Sequence, residues 1–204
     1  MLQYILTQSD RWSAGELAQM AVEGGCLWIS LHLPELSDAE VRELAEPDII
    51  EMCREASVFL TIDDRPHLAR ELGLHGVRLS GRYFIDHPET SPIALREELG
   101  PEAVIGLEMT DPSALPSLIP ADLDFVTLPK STSPEARARF IEAVNRLGVQ
   151  IPVVQDGCLT VDEALEAMAD GCAGVAVGNV IGCSHDPVGK MQEFIDALSS
   201  FRSI

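Results

Sequence analysis

The segment TIDDRPHLARELGLHGVRLSG, residues 61–81, begins at the end of one short apolar run and closes on another, with a stretch of helical spacing between them. The first run, SVFLTI, is followed at once by Asp63, Asp64 and Arg65, and the second run, GVRL, begins at Gly76. Strand, helix and strand in this order form the repeating unit of a parallel sheet. The segment therefore predicts a βαβ unit with three charged residues at the end of its first strand.

Apolar runs of this kind recur along the whole chain and alternate with helical stretches. They are LQYIL (2–6), CLWISLHL (26–33), SVFLTI (57–62), GVRL (76–79), AVIGL (103–107), LDFVTL (123–128), IPVVQ (151–155) and AGVAV (173–177). Eight βα units in 204 residues predict a compact (β/α)8 TIM barrel, with residues 1–204 as one domain. The fourth unit is irregular, because residues 80–92 have the composition of a long loop.

An open doubly wound sheet is the main alternative to the barrel. Such a sheet usually has about five or six strands, and no GxGxxG motif follows the first apolar run. Clear start signals mark three of the predicted helices. Ser13, Ser133 and Thr160 are predicted N-caps, and Glu16 and Glu163 complete capping boxes with the first and the third of them.

The charge of the chain limits its partners. The sequence has 14 basic and 33 acidic residues, for a formal net charge of -19. This charge repels nucleic acid and anionic membrane surfaces, so we expect neither as a partner. A small phosphorylated ligand stays compatible with it, because backbone amides at a helix N-terminus bind anions with little help from net charge.

The five cysteines are scattered and include no CxxC pair, so neither a disulfide framework nor a zinc site is indicated. The start of the chain, MLQYILTQSD, has no basic region and no long apolar segment. We therefore expect a soluble cytoplasmic protein. Whether it forms a homo-oligomer is left open.

In a TIM barrel the chemistry gathers where the strands end, so residues directly after each apolar run are the candidates for a site. These residues are Thr7, Gln8, His32, Asp63, Asp64, Arg65, Ser80, Gly81, Arg82, Glu108, Lys130, Asp156, Gly157, Gly178 and Asn179. Most of them are polar, and both signs of charge are present.

The adjacent carboxylates Asp63 and Asp64 have two interpretations. They are suitable ligands for Mg²⁺, a hard cation that prefers oxygen atoms. Alternatively, one of them caps the following helix, RPHLAREL, in which Pro66 stands early in the first turn. Spacing alone favours the cap, although one carboxylate could cap while the other faces the mouth.

The stretch GVAVGNVIG gives the strongest local signal for a ligand. A buried strand that runs into Gly178 and Asn179 exposes backbone amides, and barrels often bind phosphate after their last two strands. Gly157, in the preceding unit, would lie close to the same anion. The alternative is a pair of tight turns in which glycine supplies only a positive φ.

Histidine and cysteine candidates are weaker. His32 and His185 are better placed for acid-base chemistry than the other histidines, although a lone histidine is usually structural. Cys158 and Cys183 also fall near the predicted mouth. Without a visible activating neighbour, we interpret both thiols as packing residues.

Several motifs together resemble the thiamine phosphate synthase and thiazole tautomerase superfamily. YILT (4–7), AVEGGCLWISLHL (21–33) and TIDDRPHLARELGLHGVRLSG (61–81) resemble its first strand, its A-x-E-G-G segment and its N-D-R signature. EAVIGLEMTDP and the stretch from IPVVQDG to GVAVGNVI resemble its later landmarks. The likeness covers nearly the whole chain, and the order and spacing of the pieces carry it.

This resemblance implies a Mg²⁺-dependent enzyme that joins a hydroxymethylpyrimidine diphosphate to a thiazole phosphate and releases pyrophosphate. Asp64 would then be the Mg²⁺ ligand and Arg65 the arginine that follows it in the signature. Gly157 matches a glycine of the loop after the seventh strand, and Gly178 and Asn179 match the thiazole-phosphate loop.

The chain departs from the family pattern at several positions. His32 stands in a segment where the family has glutamine and two cations, and Glu108 stands where it has serine. Lys130 is the one cation left in a shortened loop after the sixth strand, and that loop lacks the histidine of the tautomerase branch. Three functions follow: a synthase-like enzyme using His32, Arg65 and Lys130, a barrel that only binds a phosphorylated heterocycle, or an isomerase with His32 as acid-base group.

Overall fold

The computed structural model describes residues 1–118 and 123–201. Its strands close into one parallel barrel in which each strand pairs with the next along the chain and the last pairs with the first. The strands are β1 (Leu2–Leu6), β2 (Trp28–Leu31), β3 (Phe59–Asp63), β4 (Gly76–Leu79), β5 (Val104–Glu108), β6 (Phe125–Leu128), β7 (Val153–Gln155) and β8 (Gly174–Val177). The predicted TIM barrel is confirmed.

Helices follow the strands around the outside of the barrel. They are α1 (Ala14–Glu23), α2 (Asp38–Ala45), α3 (Asp48–Glu55), α4 (Pro66–Glu71), α5 (Tyr83–Asp86), α6 (Pro92–Leu99), α7 (Leu115–Leu118), α8 (Pro134–Leu147), α9 (Val161–Ala169), α10 (Asn179–Gly182) and α11 (Pro187–Phe201). A 3₁₀ turn, Pro112–Ala114, precedes α7. Among the described residues, no helix combines the length and the apolar character that crossing a membrane requires.

The predicted helix starts are confirmed. Ser13 and Thr160 form complete capping boxes with Glu16 and Glu163, and the Ser133 side chain caps α8. The segment 80–92 differs from the predicted long loop, because it contains the single helical turn α5. That turn is anchored where the Tyr83 amide donates to the Ser80 carbonyl and the buried Tyr83 ring stacks on His87.

A small apolar core lies inside the barrel. Ile5, Phe125, Val154 and Ala176 pack there, apart from the larger core between strands and helices. The Phe125 ring takes the space beside β5, where an added Cβ on Gly106 would lie 2.1 Å from its Cζ atom. The Phe125 ring therefore fits inside this narrow barrel because residue 106 is glycine.

Because side chains alternate along a strand, charged side chains point into the barrel near the strand ends. Val77 and Leu79 belong to the core that faces the helices, so Arg78 between them points into the barrel. The same alternation places Asp63 inward, and Asp63 and Arg78 are register partners on neighbouring strands. The barrel interior is thus charged near the strand ends.

We expect the substitution Gly106→Ala to destabilise the fold by about 1–3 kcal/mol, since the new methyl group overlaps the Phe125 ring and forces the core to shift. Urea unfolding measures this difference. Gly15→Ala is the matched control, because an added Cβ meets nothing within 4 Å at that position of α1. Equal stability of Gly106→Ala and the wild type would contradict the packing described here.

Candidate functional site

A cavity of about 710 Å³ opens at the end of the barrel where the strands terminate. Its wall combines a few apolar side chains with a ring of charged ones. The lining residues are Ile5, His32, Asp63, Asp64, Arg78, Leu79, Ser80, Glu108, Thr127, Pro129, Lys130, Ser131 and Asp156. This is the position at which TIM barrels carry their binding and catalytic groups.

The floor of the cavity is a buried ion-pair network centred on Arg78. Its Nε atom lies 3.1 and 3.0 Å from the two carboxylate oxygens of Asp63, and its Nη2 atom also donates to Asp63. Its Nη1 atom donates to Asp156 Oδ2 at 2.8 Å. One guanidinium therefore links the ends of β3, β4 and β7 across the barrel.

Burial and charge pairing act against each other in this network. Burial alone would raise the pKa of the Asp63 carboxyl, yet Arg78 and His32 hold that pKa below its usual range. Burial disfavours the charged guanidinium of Arg78, but Asp63 and Asp156 raise its pKa above the usual value. Both groups consequently stay charged at neutral pH.

His32 is tied to the same network. Its Nδ1 atom lies 2.9 Å from Asp63 Oδ2, and the Ser30 hydroxyl donates to Asp63 Oδ1 at 2.7 Å. The hydrogen bond with Asp63 raises the pKa of the imidazole, while burial and Arg78 oppose that rise. Because Nδ1 is held by a carboxylate and the ring is partly exposed, the arrangement suits proton transfer at Nε2.

The structure shows how the carboxylate of Asp64 is held and that it does not cap the following helix. Its backbone has a φ of +53°, a left-handed conformation that aspartate tolerates better than most residues. The Ser80 amide donates to Asp64 Oδ1 at 2.7 Å, so this carboxylate joins the loops after β3 and β4 at the cavity wall. Neither Asp63 nor Asp64 caps α4, whose N-cap residue is Arg65, and the capping interpretation was wrong.

Arg65 lies outside the cavity lining. Its guanidinium donates to the carbonyls of Leu33 and Leu36 and to Asp38 Oδ1. These contacts fasten the loop after β2 to the start of α4. Arg65 therefore lies apart from the other predicted catalytic residues, and its contacts hold the loop after β2 in position.

Lys130 and Gly157 are close neighbours at the cavity edge. Gly157 has a φ of +75°, and an added Cβ there would lie 2.6 Å from Lys130 Cβ. The Gly157 amide donates to the Ala176 carbonyl at 3.0 Å, so it is already hydrogen-bonded within the protein. The visible role of Gly157 is to leave room for the Lys130 side chain.

Gly178 and Asn179 follow β8 at the same end of the barrel, next to the cavity rather than among its lining residues. The Thr7 hydroxyl donates to Asn179 Oδ1 at 3.0 Å, which joins the loops after β1 and β8. The structure brings these two residues to the same face as Asp64, as the barrel prediction requires. Their contact with phosphate stays a prediction.

Glu108 contributes a further carboxylate to the cavity wall at the end of β5. Burial raises the pKa of this carboxyl, although the Gly81 amide and the charge of Arg78 act in the opposite direction. The side chain forms no ion pair with any residue in the described ranges.

Most carboxylates of the cavity already make contacts within the protein, which limits the ligands left for a divalent cation. Asp63 and Asp156 are engaged by Arg78, and one oxygen of Asp64 is engaged by Ser80. Within residues 1–118 and 123–201, no three His, Cys, Asp or Glu side chains group as a metal site. Mg²⁺ commonly uses one or two carboxylates together with water and substrate phosphates. Binding of Mg²⁺ at Asp64 stays a prediction.

The fold and the cavity define a compact (β/α)8 barrel with a charged cavity at its mouth. The sequence profile described as thiamine monophosphate synthase matches residues 3–181, and the chain belongs to this family. The resemblance stated from the motifs is thereby confirmed.

Known relatives agree with this assignment. A thiamine-phosphate synthase of Bacteroides fragilis is 29% identical over 208 residues, covering 96% of this chain and 98% of the relative. One of Haloquadratum walsbyi is 29% identical over 216 residues, covering 98% and 93%. The solved structure of a thiamine phosphate pyrophosphorylase from Pyrococcus furiosus superposes with a TM-score of 0.80 at 22% identity, covering 98% and 96%, and supports the fold.

The ion-pair network around Arg78 was not predicted from the sequence, although the sequence contains a signal for it. In GVRL, the two apolar residues beside Arg78 face the helices, which leaves the arginine inside the barrel. A buried guanidinium needs carboxylate partners, and Asp63 and Asp156 follow buried runs at the same barrel end. Strand parity together with charge matching would have indicated this network.

We expect NMR titration of the imidazole to show a pKa for His32 above its ordinary value of 6.5, because Asp63 stabilises the protonated ring. The substitution Asp63→Asn should lower that pKa, since burial and Arg78 then act with less opposition. Asp64→Asn is the control, as the Asp64 carboxylate makes no hydrogen bond with the ring in the described structure. An unchanged pKa in Asp63→Asn would contradict the pairing.

Proposed function

We propose that this protein binds a phosphorylated heterocycle in the barrel-mouth cavity and joins a thiazole phosphate to a hydroxymethylpyrimidine diphosphate. The observation that carries the proposal is the charged cavity at the strand ends of a chain that belongs to the thiamine monophosphate synthase family. The relatives described above are named thiamine-phosphate synthases. A cytoplasmic location is part of the proposal and agrees with five free cysteines.

The anionic end of the ligand is assigned to the loops after β7 and β8. Lys130 lines the cavity with its stem over Gly157, and Gly178 and Asn179 lie at the adjoining strand end. A cation together with backbone amides is the usual combination for a phosphate group in a barrel. In this proposal, Gly157 acts by making space for Lys130.

The diphosphate end of the second substrate is assigned to Asp64. Asp64 would hold Mg²⁺, which would supply positive charge against the negative charge that grows on the departing pyrophosphate. Asp64 is suited to this task because the Ser80 amide fixes one of its oxygens and thereby orients the carboxylate toward the cavity. Arg65 contributes indirectly, by fixing the loop after β2.

The pairing of His32 with Asp63 favours a second candidate, an isomerase that moves a proton on a thiazole ring. A histidine whose Nδ1 is held by a carboxylate is the usual arrangement for a general acid or base acting through Nε2. His32 lines the same cavity as Asp64 and Lys130, so either reaction would use one binding site.

Phosphate binding is tested by calorimetry with inorganic phosphate and with the phosphate ester of hydroxyethylthiazole. We expect Asn179→Asp to weaken the binding of both by about tenfold, because a carboxylate beside the anion repels it. Thr7→Val is the control, since it removes the hydrogen bond to Asn179 without adding charge. Equal affinity of Asn179→Asp and the wild type would place the phosphate elsewhere.

Turnover is tested by mass-spectrometric detection of thiamine phosphate from the two family substrates with Mg²⁺. We expect product in the wild type and a loss of about 10²-fold or more in Asp64→Ala, as expected when an electrostatic group at the reacting centre is removed. Unchanged turnover would remove Asp64 from the mechanism.

If solvent deuterium enters the thiazole without product, and His32→Ala abolishes that exchange, the isomerase is supported. Ligand-induced thermal stabilisation without either reaction supports a binding protein.

A further inference from the structure

The charges around the cavity are unevenly distributed. Arg78 pairs with both Asp63 and Asp156 in the floor, and His32 contacts the same Asp63, so the cationic groups of the floor are already engaged by carboxylates. Outside that network, the cavity wall carries Asp64, Glu108 and Lys130. None of these three side chains forms an ion pair with another residue in the described parts of the chain.

The barrel topology separates the unpaired charges. In a closed ring of eight strands in chain order, β4 lies across the mouth from β8. Asp64 follows β3 and Glu108 ends β5, so these two carboxylates flank β4. Lys130 leans over Gly157, after β7, and therefore belongs to the other half of the rim. The carboxylates without an ion pair in the described chain thus lie on the β4 side of the mouth, and Lys130 lies toward β7.

We propose that Glu108 is a specificity residue that selects a dipolar ligand, with phosphate at the β7 and β8 side and a positively charged ring at the β4 side. This inference rests on the proposed function and deepens it, because joining the two substrates alkylates the thiazole nitrogen and turns a neutral ring into the cationic ring that Glu108 would stabilise. A ligand with a neutral ring leaves the Glu108 carboxylate without a counter-charge, whereas a cationic ring pairs with it.

The environment of Glu108 supports this assignment. Its carboxylate lies beside the loop after β4, since an added Cβ on Gly81 would lie 3.5 Å from Glu108 Oε1. The side chain therefore lies against this loop at the cavity wall. Burial raises the pKa of this carboxyl, as expected for a half-buried anion with too little opposite charge nearby.

The test uses two probes that differ by one charge: the phosphate ester of hydroxyethylthiazole and the same compound methylated at the ring nitrogen. Binding is measured by calorimetry in EDTA, so that no metal bridges ligand and carboxylates. We expect the wild type to bind the methylated, cationic probe about tenfold more tightly than the neutral one. In Glu108→Gln, the two affinities should become nearly equal, while the affinity for inorganic phosphate should not fall.

Glutamine retains the size and the acceptor oxygen of Glu108, so Glu108→Gln should keep the contact with Gly81. Glu55→Gln, an exposed position on α3, controls for the change in net charge. Equal affinities of the wild type for the two probes would overturn the inference, and so would a preference that persists in Glu108→Gln. If the wild type binds neither probe nor inorganic phosphate, the proposed function itself fails.

Discussion

The buried ion pair between Asp63 and Arg78 is the interaction on which the candidate site depends. The two residues are register partners on β3 and β4, and each is only 9% exposed. Removing one partner of such a pair typically costs about 3–5 kcal/mol, because it leaves an uncompensated charge in the interior. Asp156 completes the pairing of the guanidinium, and His32 is oriented by the same carboxylate.

This network changes the chemistry that the family resemblance suggests. Arg78 is a cation in the mouth, but two carboxylates already neutralise it, so it offers little to a diphosphate. In the proposed function, anion binding is therefore assigned to Lys130 and to the loops after β7 and β8. The same network fixes a histidine at the cavity, which gives the mouth an acid-base group beside its proposed metal ligand Asp64.

The local features were predictable because their signals lie close together in the chain. Capping boxes such as Ser13 with Glu16 involve residues three apart, and their hydrogen bonds form whatever the rest of the molecule does. The role of Asp64 was harder to predict, because its partner is the Ser80 amide on the next loop. Arg65 likewise bonds to a loop that comes well before it in the chain. Spacing in the sequence carries no information about either contact.

By itself, the sequence determined the eight strands, their order and the end of the barrel at which the polar residues gather. Hydrophobic periodicity is a local property, and a chain of βα units has few ways to bury its strands. The tertiary structure decided which charges neutralise one another. A carboxylate becomes part of the framework or stays available at the cavity according to the cations within reach: Asp63 pairs with Arg78 on the neighbouring strand, whereas Glu108 forms no ion pair within the described residues. Only closure of the barrel sets these distances.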